Sequence, residues 1–175
     1  MKKGIVSIVM GSDSDLPVMQ ETANTLESLG IGYEFNISSA HRSPEKTRVY
    51  ASGAKERGIK VIIAGAGGAA HLAGVIAAET ILPVIAVPID STPLKGIDSF
   101  LSTLQMPSGV PVATMAIGKA GAKNAAILAA QILALNDPDI SKRLSELKLK
   151  MKKDVEEKDR AIHGQKVKDG RAIKD

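Results

Sequence analysis

The chain of 175 residues contains no cysteine and very few aromatic residues. The absence of cysteine excludes disulfide bonds, thiolate metal ligands and a cysteine nucleophile. Aromatic residues make up 2% of the chain, whereas hydrophobic residues as a whole make up 44%. The core must therefore be built from Ile, Val, Leu, Met and Ala. Runs of small residues at 64–70 and 120–130 predict elements whose backbones pack close together.

Long apolar runs are also missing, since none approaches the ~20 residues that a membrane-spanning helix needs. The first four residues, Met-Lys-Lys-Gly, lead directly into a strand-like run with no small-residue cleavage site behind it. This pattern argues against a signal peptide. The sequence therefore predicts a soluble, cytoplasmic protein.

The net charge of +4 is concentrated at the C-terminus. Residues 141–175 hold 12 Lys or Arg and 7 Asp or Glu, whereas the rest of the chain holds 11 and 12. Single-stranded nucleic acid is bound by basic groups interleaved with aromatic residues on which bases stack, and residues 141–175 contain no Phe, Trp or Tyr. We interpret this segment as a solvated, charged helix and predict no nucleic-acid partner.

Short β-branched runs alternate with helical stretches along most of the chain. Strands are predicted at residues 5–10, 33–37, 61–64, 84–87 and 112–115. Helices are predicted at residues 16–29, 44–57, 71–79, 97–104 and 120–135. Continuously apolar strands, each followed by a helix, indicate a parallel sheet covered on both faces. The predicted fold is therefore a three-layer α/β/α sandwich with a flavodoxin-like or Rossmann-like sheet of about five strands.

The C-terminal segment is predicted to form one more helix. Asn136-Asp137-Pro138 ends the preceding helix, and residues 140–158 carry apolar side chains at spacings of three and four, which place them on one stripe. The stripe consists of Leu144, Leu147, Met151 and Val155. The predicted organisation is an α/β domain at 1–136, a helix at 137–160 that packs on this domain or on a neighbouring subunit, and a polar tail at 161–175.

The loop after the first strand offers groups that suit a phosphate. In doubly wound sheets, ligands bind beyond the carboxyl ends of the strands, near the switch in strand order. Here Gly11 permits a tight turn, Ser12 and Ser14 offer hydroxyl groups, and the start of the next helix offers free N–H groups. Asp15 is expected to cap the helix or to accept hydrogen bonds from ribose hydroxyls. A simple helix cap explains Ser14 or Asp15 equally well.

The loop after the second strand places an imidazole beside a guanidinium, in the sequence Ser39-Ala40-His41-Arg42. Arg42 could clamp a phosphate, and His41 could transfer protons near neutral pH. Ser43 is predicted to cap the following helix, with Pro44 in its first turn. The alternative is a surface loop with an incidental histidine. We favour the functional interpretation, because the chain has only three histidines.

The loop after the third strand is rich in glycine and alanine and ends at His71-Leu72. Residues 65–70 fit a dinucleotide-binding G-x-G-x-x-A pattern, but that motif belongs after the first strand of its fold. Two other interpretations stay open. The small residues allow a helix to pack close to the sheet, or they build a tight pocket for a planar group or a carboxylate that His71 closes.

Taken together and in order, these loops resemble the PurE family of purine-biosynthesis enzymes. The resemblance extends through Gln105-Met106-Pro107-x-Gly109-Val110-Pro111-Val112 and the run 116–126, and covers about residues 4–136. The loop 67–72 is similar to the branch of carboxyaminoimidazole ribonucleotide mutases rather than to the branch that uses carbon dioxide directly. Ala73 and Ala86 stand where Pro and Gly are usual in the mutases, and both are small-residue changes.

The resemblance implies conversion of N5-carboxyaminoimidazole ribonucleotide to 4-carboxy-5-aminoimidazole ribonucleotide, with no cofactor and no metal. It implies His41 as the catalytic acid and base. The implied substrate-binding residues are Ser12, Ser14, Asp15, Ser39, Ala40, Arg42, Gly67, Gly68, Ala69, Ala70, His71 and Leu72. It also implies a homo-octamer with active sites near subunit junctions. Two alternatives are direct carboxylation by carbon dioxide and a non-catalytic nucleotide-sensing module.

Overall fold

The computed structural model describes residues 5–168, and the side chains of residues 5–163. Within this range five strands form one sheet in the order β2-β1-β3-β4-β5, and all neighbouring strands are parallel. The strands are β1 (Val6–Met10), β2 (Tyr33–Ile37), β3 (Val61–Gly67), β4 (Val84–Ile89) and β5 (Ala113–Thr114). The predicted parallel α/β architecture is confirmed.

Six α-helices accompany the sheet within the described residues. They are α1 (Leu16–Ser28), α2 (Pro44–Ser52), α3 (Leu72–Glu79), α4 (Ile97–Leu104), α5 (Lys119–Ala134) and α6 (Pro138–Lys168). A short 3-10 turn, Asp13–Asp15, precedes α1. None of the helices between residues 5 and 168 is long and apolar enough to cross a membrane.

The inner strands β1, β3 and β4 are buried over most of their length and largely apolar because helices cover the sheet on both faces. The edge strand β2 is partly exposed and also carries Glu34 and Asn36. Successive side chains of a strand point to opposite faces, and the core accordingly divides into two clusters. Ile8 and Ile63 pack with α1 and α5 on one face, whereas Val9 and Ile62 pack with α2 and α3 on the other.

Helix α5 packs against α1 through a face of small residues. Its buried residues are Gly121, Ala122, Ala125, Ala126, Ala129 and Ala130. The Thr22 hydroxyl of α1 donates a hydrogen bond to the backbone oxygen of Ala122 at 3.0 Å. A Cβ atom on Gly121 would lie 1.6 Å from the backbone oxygen of Ala116. The run of small residues therefore brings backbones together, as predicted.

Several element ends differ from the prediction. Strand β3 continues through Gly67 because Gly65, Ala66 and Gly67 pair with β4, so these residues are part of the sheet and not of a loop. Helix α2 ends at Ser52, and residues 53–58 form turns that end at Gly58, whose φ is +90°.

The predicted cap of α2 is also wrong in its detail. Ser43 stands at the N-cap position, but its side chain makes no cap hydrogen bond. Its hydroxyl donates instead to the backbone oxygen of Ser39 at 3.2 Å, and therefore stabilises the loop before the helix.

Helix α6 reaches Lys168, beyond the predicted end near 158. Leu144 and Leu147 pack against the core cluster that contains α1 and α5, whereas Met151 and Val155 are 56% and 65% exposed. The predicted stripe therefore divides, with one half on the chain's own body and the other half facing solvent. Of the predicted polar tail, residues 161–168 continue the helix and residues 169–175 lie outside the described range.

Candidate active site

A cleft of about 330 Å³ lies beyond the carboxyl ends of the strands. Strand β1 stands between β2 and β3, so the chain leaves β1 toward one side of the sheet and later returns to the other side. Loops diverge at such a switch point and leave a crevice for a ligand. The loops after β1, β2, β3 and β4 all contribute residues to the cleft.

The loop after β1 folds back on itself through a capping box. The backbone N–H of Ser12 donates to Asp15 Oδ2 at 3.1 Å, and the backbone N–H of Ser14 donates to Ser12 Oγ at 3.4 Å. Asp15 therefore closes the 3-10 turn rather than capping α1. Its side chain is 5% exposed, and this burial raises the pKa of Asp15 despite the N–H groups that favour its charged form.

The loop after β2 is tied to the loop after β1 by Arg42. Arg42 Nε donates to Ser39 Oγ at 3.4 Å, and Arg42 Nη2 donates to the backbone oxygen of Gly11 at 3.2 Å. The guanidinium is exposed and lies beside Ser12. A fixed cation beside hydroxyl groups is a favourable site for a phosphate.

The last residue of β3 lies very close to the loop after β4. A Cβ atom on Gly67 would lie 1.9 Å from Ser91 Oγ, so only glycine lets the loop after β4 come this near. Gly68 follows with a φ of +60°, a conformation that glycine adopts readily. The chain then enters α3 at His71.

The two histidines of the predicted site form a pair. His41 Nε2 lies 2.8 Å from His71 Nδ1, within hydrogen-bonding distance. The ring centroids are 4.9 Å apart and the ring planes meet at 83°. Residues separated widely in the sequence are thus brought together by the loops after β2 and β3.

Most of the predicted site residues share this cleft. Those that line it are Ser12, Ser14, Asp15, Ser39, Ala40, His41, Arg42, Gly67, Ala69 and Leu72. Gly68, Ala70 and His71 are not among the lining residues. Ala70 is buried, with 1% of its surface exposed, and His71 reaches the site through His41.

Three lining residues were not predicted, namely Gly11, Ala66 and Ser91. Ser91 follows β4, whose carboxyl end is at the edge where doubly wound sheets bind ligands. Examining the first polar residues after every strand would have identified it. Ala66 lies in the glycine- and alanine-rich segment that was singled out as a possible pocket, but it was not among the predicted binding residues.

The cleft combines an anion-binding end with a proton-transferring end. Arg42 and the serine hydroxyls form the first, and His41 belongs to the second. Among the described residues, no group of three or more His, Cys, Asp or Glu side chains is placed to hold a metal ion. The arrangement suits general acid–base chemistry on a phosphorylated small molecule.

Comparison with known proteins gives the family. Residues 5–154 match the family model described as AIR carboxylase. The chain belongs to the PurE, or AIR carboxylase, family. This match extends beyond residue 136, where the resemblance in the sequence ended, and includes the first half of α6.

Individual PurE relatives cover nearly the whole chain. The chain is 59% identical over 157 residues to a Pyrococcus horikoshii protein named N5-carboxyaminoimidazole ribonucleotide mutase. The aligned region covers 90% of this chain and 88% of that protein. A Bacillus subtilis protein of the same name is 55% identical over 151 residues, covering 86% and 93%. The crystal structure of Treponema denticola PurE superposes with a TM-score of 0.80 at 32% identity, covering 89% and 96%.

Proposed function

We propose that this PurE protein is an N5-carboxyaminoimidazole ribonucleotide mutase of de novo purine biosynthesis. It converts that carbamate to 4-carboxy-5-aminoimidazole ribonucleotide and needs no cofactor. The observation that carries the proposal is the single cleft in which His41 lies beside Arg42 and the serines of the β1 loop. The names of the relatives support the same reaction.

Each end of the cleft takes one part of the substrate. The 5′-phosphate lies against Ser14, Arg42 and the N–H groups near Asp15, and the Asp15 carboxylate accepts hydrogen bonds from the ribose. The aminoimidazole ring lies beside His41. Gly67, Ala69 and Leu72 lie beside the migrating carboxyl group. Ser91, which was not predicted, approaches Gly67 from the β4 loop.

The reaction needs one acid that then acts as a base. Protonated His41 gives its proton to the carbamate nitrogen, the N–C bond breaks, and carbon dioxide and aminoimidazole ribonucleotide form. The electron-rich ring carbon at position four attacks the carbon dioxide and forms the new C–C bond. Neutral His41 then removes the proton from that carbon, and the ring regains its aromaticity. Holding carbon dioxide beside the carbon nucleophile is a proximity effect worth up to about 7–11 kcal/mol.

Labelled bicarbonate distinguishes the mutase from a direct carboxylase. A mutase forms product from the carbamate without added bicarbonate, and label from the buffer enters the product slowly. A direct carboxylase works on aminoimidazole ribonucleotide and depends on dissolved carbon dioxide. Full exchange of label during a single turnover, or strict dependence on high bicarbonate, would assign this protein to direct carboxylation.

A nucleotide-sensing module is the alternative from another class. Such a module accounts for the anion-binding end of the cleft but gives His41 no function. His41→Asn should keep the fold and nucleotide binding and lose turnover by roughly 10²–10⁴-fold, the range of general acid–base catalysis. Near-normal turnover by a folded His41→Asn protein would remove this residue from catalysis, and no turnover by the wild type would favour the sensing module.

The protein is further proposed to be a cytoplasmic homo-octamer with its clefts near subunit junctions. Helix α4 supports self-association because it is apolar on its outer face, where Leu94 just before it and Ile97, Leu101 and Leu104 on it are 46–62% exposed. In a single chain His41, Arg42 and His71 are exposed. A neighbouring copy beside the cleft would help to retain carbon dioxide.

A further inference from the structure

His71 contacts the catalytic residue without lining the cleft. Its Nδ1 lies 2.8 Å from His41 Nε2, yet it is absent from the lining of the cleft in which His41 stands. His71 is at the N-cap position of α3 and its side chain makes no cap hydrogen bond there. The imidazole is therefore not required to start the helix.

The backbone of His71 is held firmly in place. Its N–H donates to the backbone oxygen of Ala69 at 2.8 Å, and its carbonyl oxygen accepts from Val75 N–H at 2.9 Å within α3. His41 lies in a turn between Ser39 and Ser43, whose backbone atoms are joined by a 2.9 Å hydrogen bond. The imidazole of His71, at the start of α3, is thus suited to orient the imidazole of His41 in the loop after β2.

The geometry between the rings restricts where protons can be. Two imidazole nitrogens 2.8 Å apart share one hydrogen, because one must donate and the other accept. The hydrogen bond made by one ring nitrogen of a histidine fixes what the other nitrogen can do. His41 Nδ1 makes no hydrogen bond within the described part of the chain and is the nitrogen left for the substrate.

We propose that His71 is a positioning residue that stays neutral and accepts a hydrogen bond from His41 Nε2–H throughout the reaction. His41 Nδ1 is then the only nitrogen that exchanges a proton. The proton leaves Nδ1 for the carbamate nitrogen and returns to Nδ1 from the ring carbon, while the hydrogen on Nε2 stays in place. This proposal rests on the proposed function and differs from the substrate-binding role that the family resemblance implies for His71.

The spectroscopic test needs no turnover. Nitrogen-15 spectra of the substrate-free protein, with His163→Gln used to assign the third histidine, report which nitrogen of each neutral ring carries hydrogen. We expect His41 with hydrogen on Nε2, and His71 with hydrogen on Nε2 and a bare Nδ1. Hydrogen on His41 Nδ1 in the neutral ring would overturn the proposal.

The kinetic test compares two variants of His71. In His71→Asn the side-chain oxygen is three bonds from Cα, as Nδ1 of histidine is, and it can still accept a hydrogen bond from His41. His71→Leu has no hydrogen-bond acceptor in its side chain. We expect His71→Leu to lower kcat by about 10²-fold with little change in KM, and His71→Asn to keep most of the wild-type kcat. A raised KM with unchanged kcat in His71→Leu would instead assign His71 to substrate binding, and equal losses in both variants would exclude an acceptor role. If the wild type itself is inactive, the proposed function fails, while the nitrogen-15 result still decides the hydrogen-bond arrangement.

Discussion

At the scale of one residue, Arg42 serves substrate binding and not proton transfer. Its guanidinium is held by Ser39 Oγ and by the backbone oxygen of Gly11. It is therefore oriented before any ligand arrives, and little side-chain freedom remains to be lost on binding. A preoriented cation contributes to affinity rather than to the chemical step.

Replacing Arg42 should accordingly weaken binding. Arg42→Ala is expected to lose about 1.5–3 kcal/mol of affinity for the ribonucleotide, the worth of a hydrogen bond to a charged group, as measured by isothermal titration calorimetry. Arg48→Ala is the matched control, since Arg48 on α2 is paired with Glu45 at 2.7 Å and does not line the cleft. Equal affinities of the Arg42→Ala and Arg48→Ala proteins would place the phosphate elsewhere.

Asp15 shows that a site residue can lower the stability of the fold. Burial raises the pKa of this carboxyl above its ordinary value of 3.8. The folded state then binds a proton more tightly than the unfolded chain does. The stabilisation that the Asp15 carboxyl contributes is therefore present at pH values below its ordinary pKa. It is lost as the pH rises through the pKa of Asp15 in the folded state.

Removing the charge of Asp15 should stabilise the protein at neutral pH. Asp15→Asn keeps an oxygen for the Ser12 N–H and is expected to raise the free energy of unfolding at pH 7, with the gain vanishing in acid, while it weakens nucleotide binding. Urea denaturation across a pH series measures this. Asp13→Asn should show the opposite pH trend, because the Ser12 hydroxyl lowers the pKa of Asp13. A loss of stability in Asp15→Asn at pH 7 would contradict the argument.

At the scale of elements, the start of α5 packs closely against the backbone of the loop that precedes it. Gly121 lies in the first turn of α5 and directly faces the backbone of Ala116. Backbone atoms cannot rotate away as a flexible side chain can. Even one added methyl group must therefore displace the helix or the preceding loop.

Gly121→Ala should thus be costly although alanine favours helices. We expect a loss of about 1–3 kcal/mol in the free energy of unfolding, the usual cost of overpacking, measured by urea denaturation. Gln131→Ala on the exposed side of the same helix should stay within about 0.5 kcal/mol of the wild type. If Gly121→Ala is as stable as the control, the contact with Ala116 does not constrain the helix.

At the scale of the whole molecule, α4 presents its polar side chains inward. Ser99 and Thr103 are buried and donate to backbone oxygens, Ser99 to Ile89 at 3.1 Å and Thr103 to Ser99 at 3.1 Å. The apolar residues Ile97 and Leu101 face outward. An exposed apolar helix face on a single chain is typical of a surface that another protein covers.

For the proposed octamer, light scattering is expected to give the mass of eight chains at micromolar concentration. Ile97→Glu with Leu101→Glu should shift the mass to smaller species while the circular dichroism spectrum stays unchanged, because these charges cannot be buried without partners. Val49→Glu, at an exposed position on α2, is the matched control. A wild-type protein that scatters as a monomer would refute the proposed assembly.

The sequence alone determined the sheet, the order of its helices and most of the loop residues that line the cleft. These follow from local patterns, since apolar runs, helix periodicity and polar residues at strand ends are all read from neighbouring positions. The family followed for the same reason, because its motifs are short and stand in a fixed order. Local patterns also explain the errors, since Gly65–Gly67 resemble a loop in sequence and are held in β3 by pairing with neighbouring strands.

Only the tertiary structure decided which of these residues act together. The contact between His41 and His71 joins residues from two loops, and no local pattern specifies which ring nitrogens face each other. The burial of Asp15, the approach of Ser91 to Gly67 and the division of the α6 stripe likewise depend on what the rest of the chain places nearby. Burial, proton placement and close approach are properties of surroundings in space, and the folded chain alone supplies those surroundings.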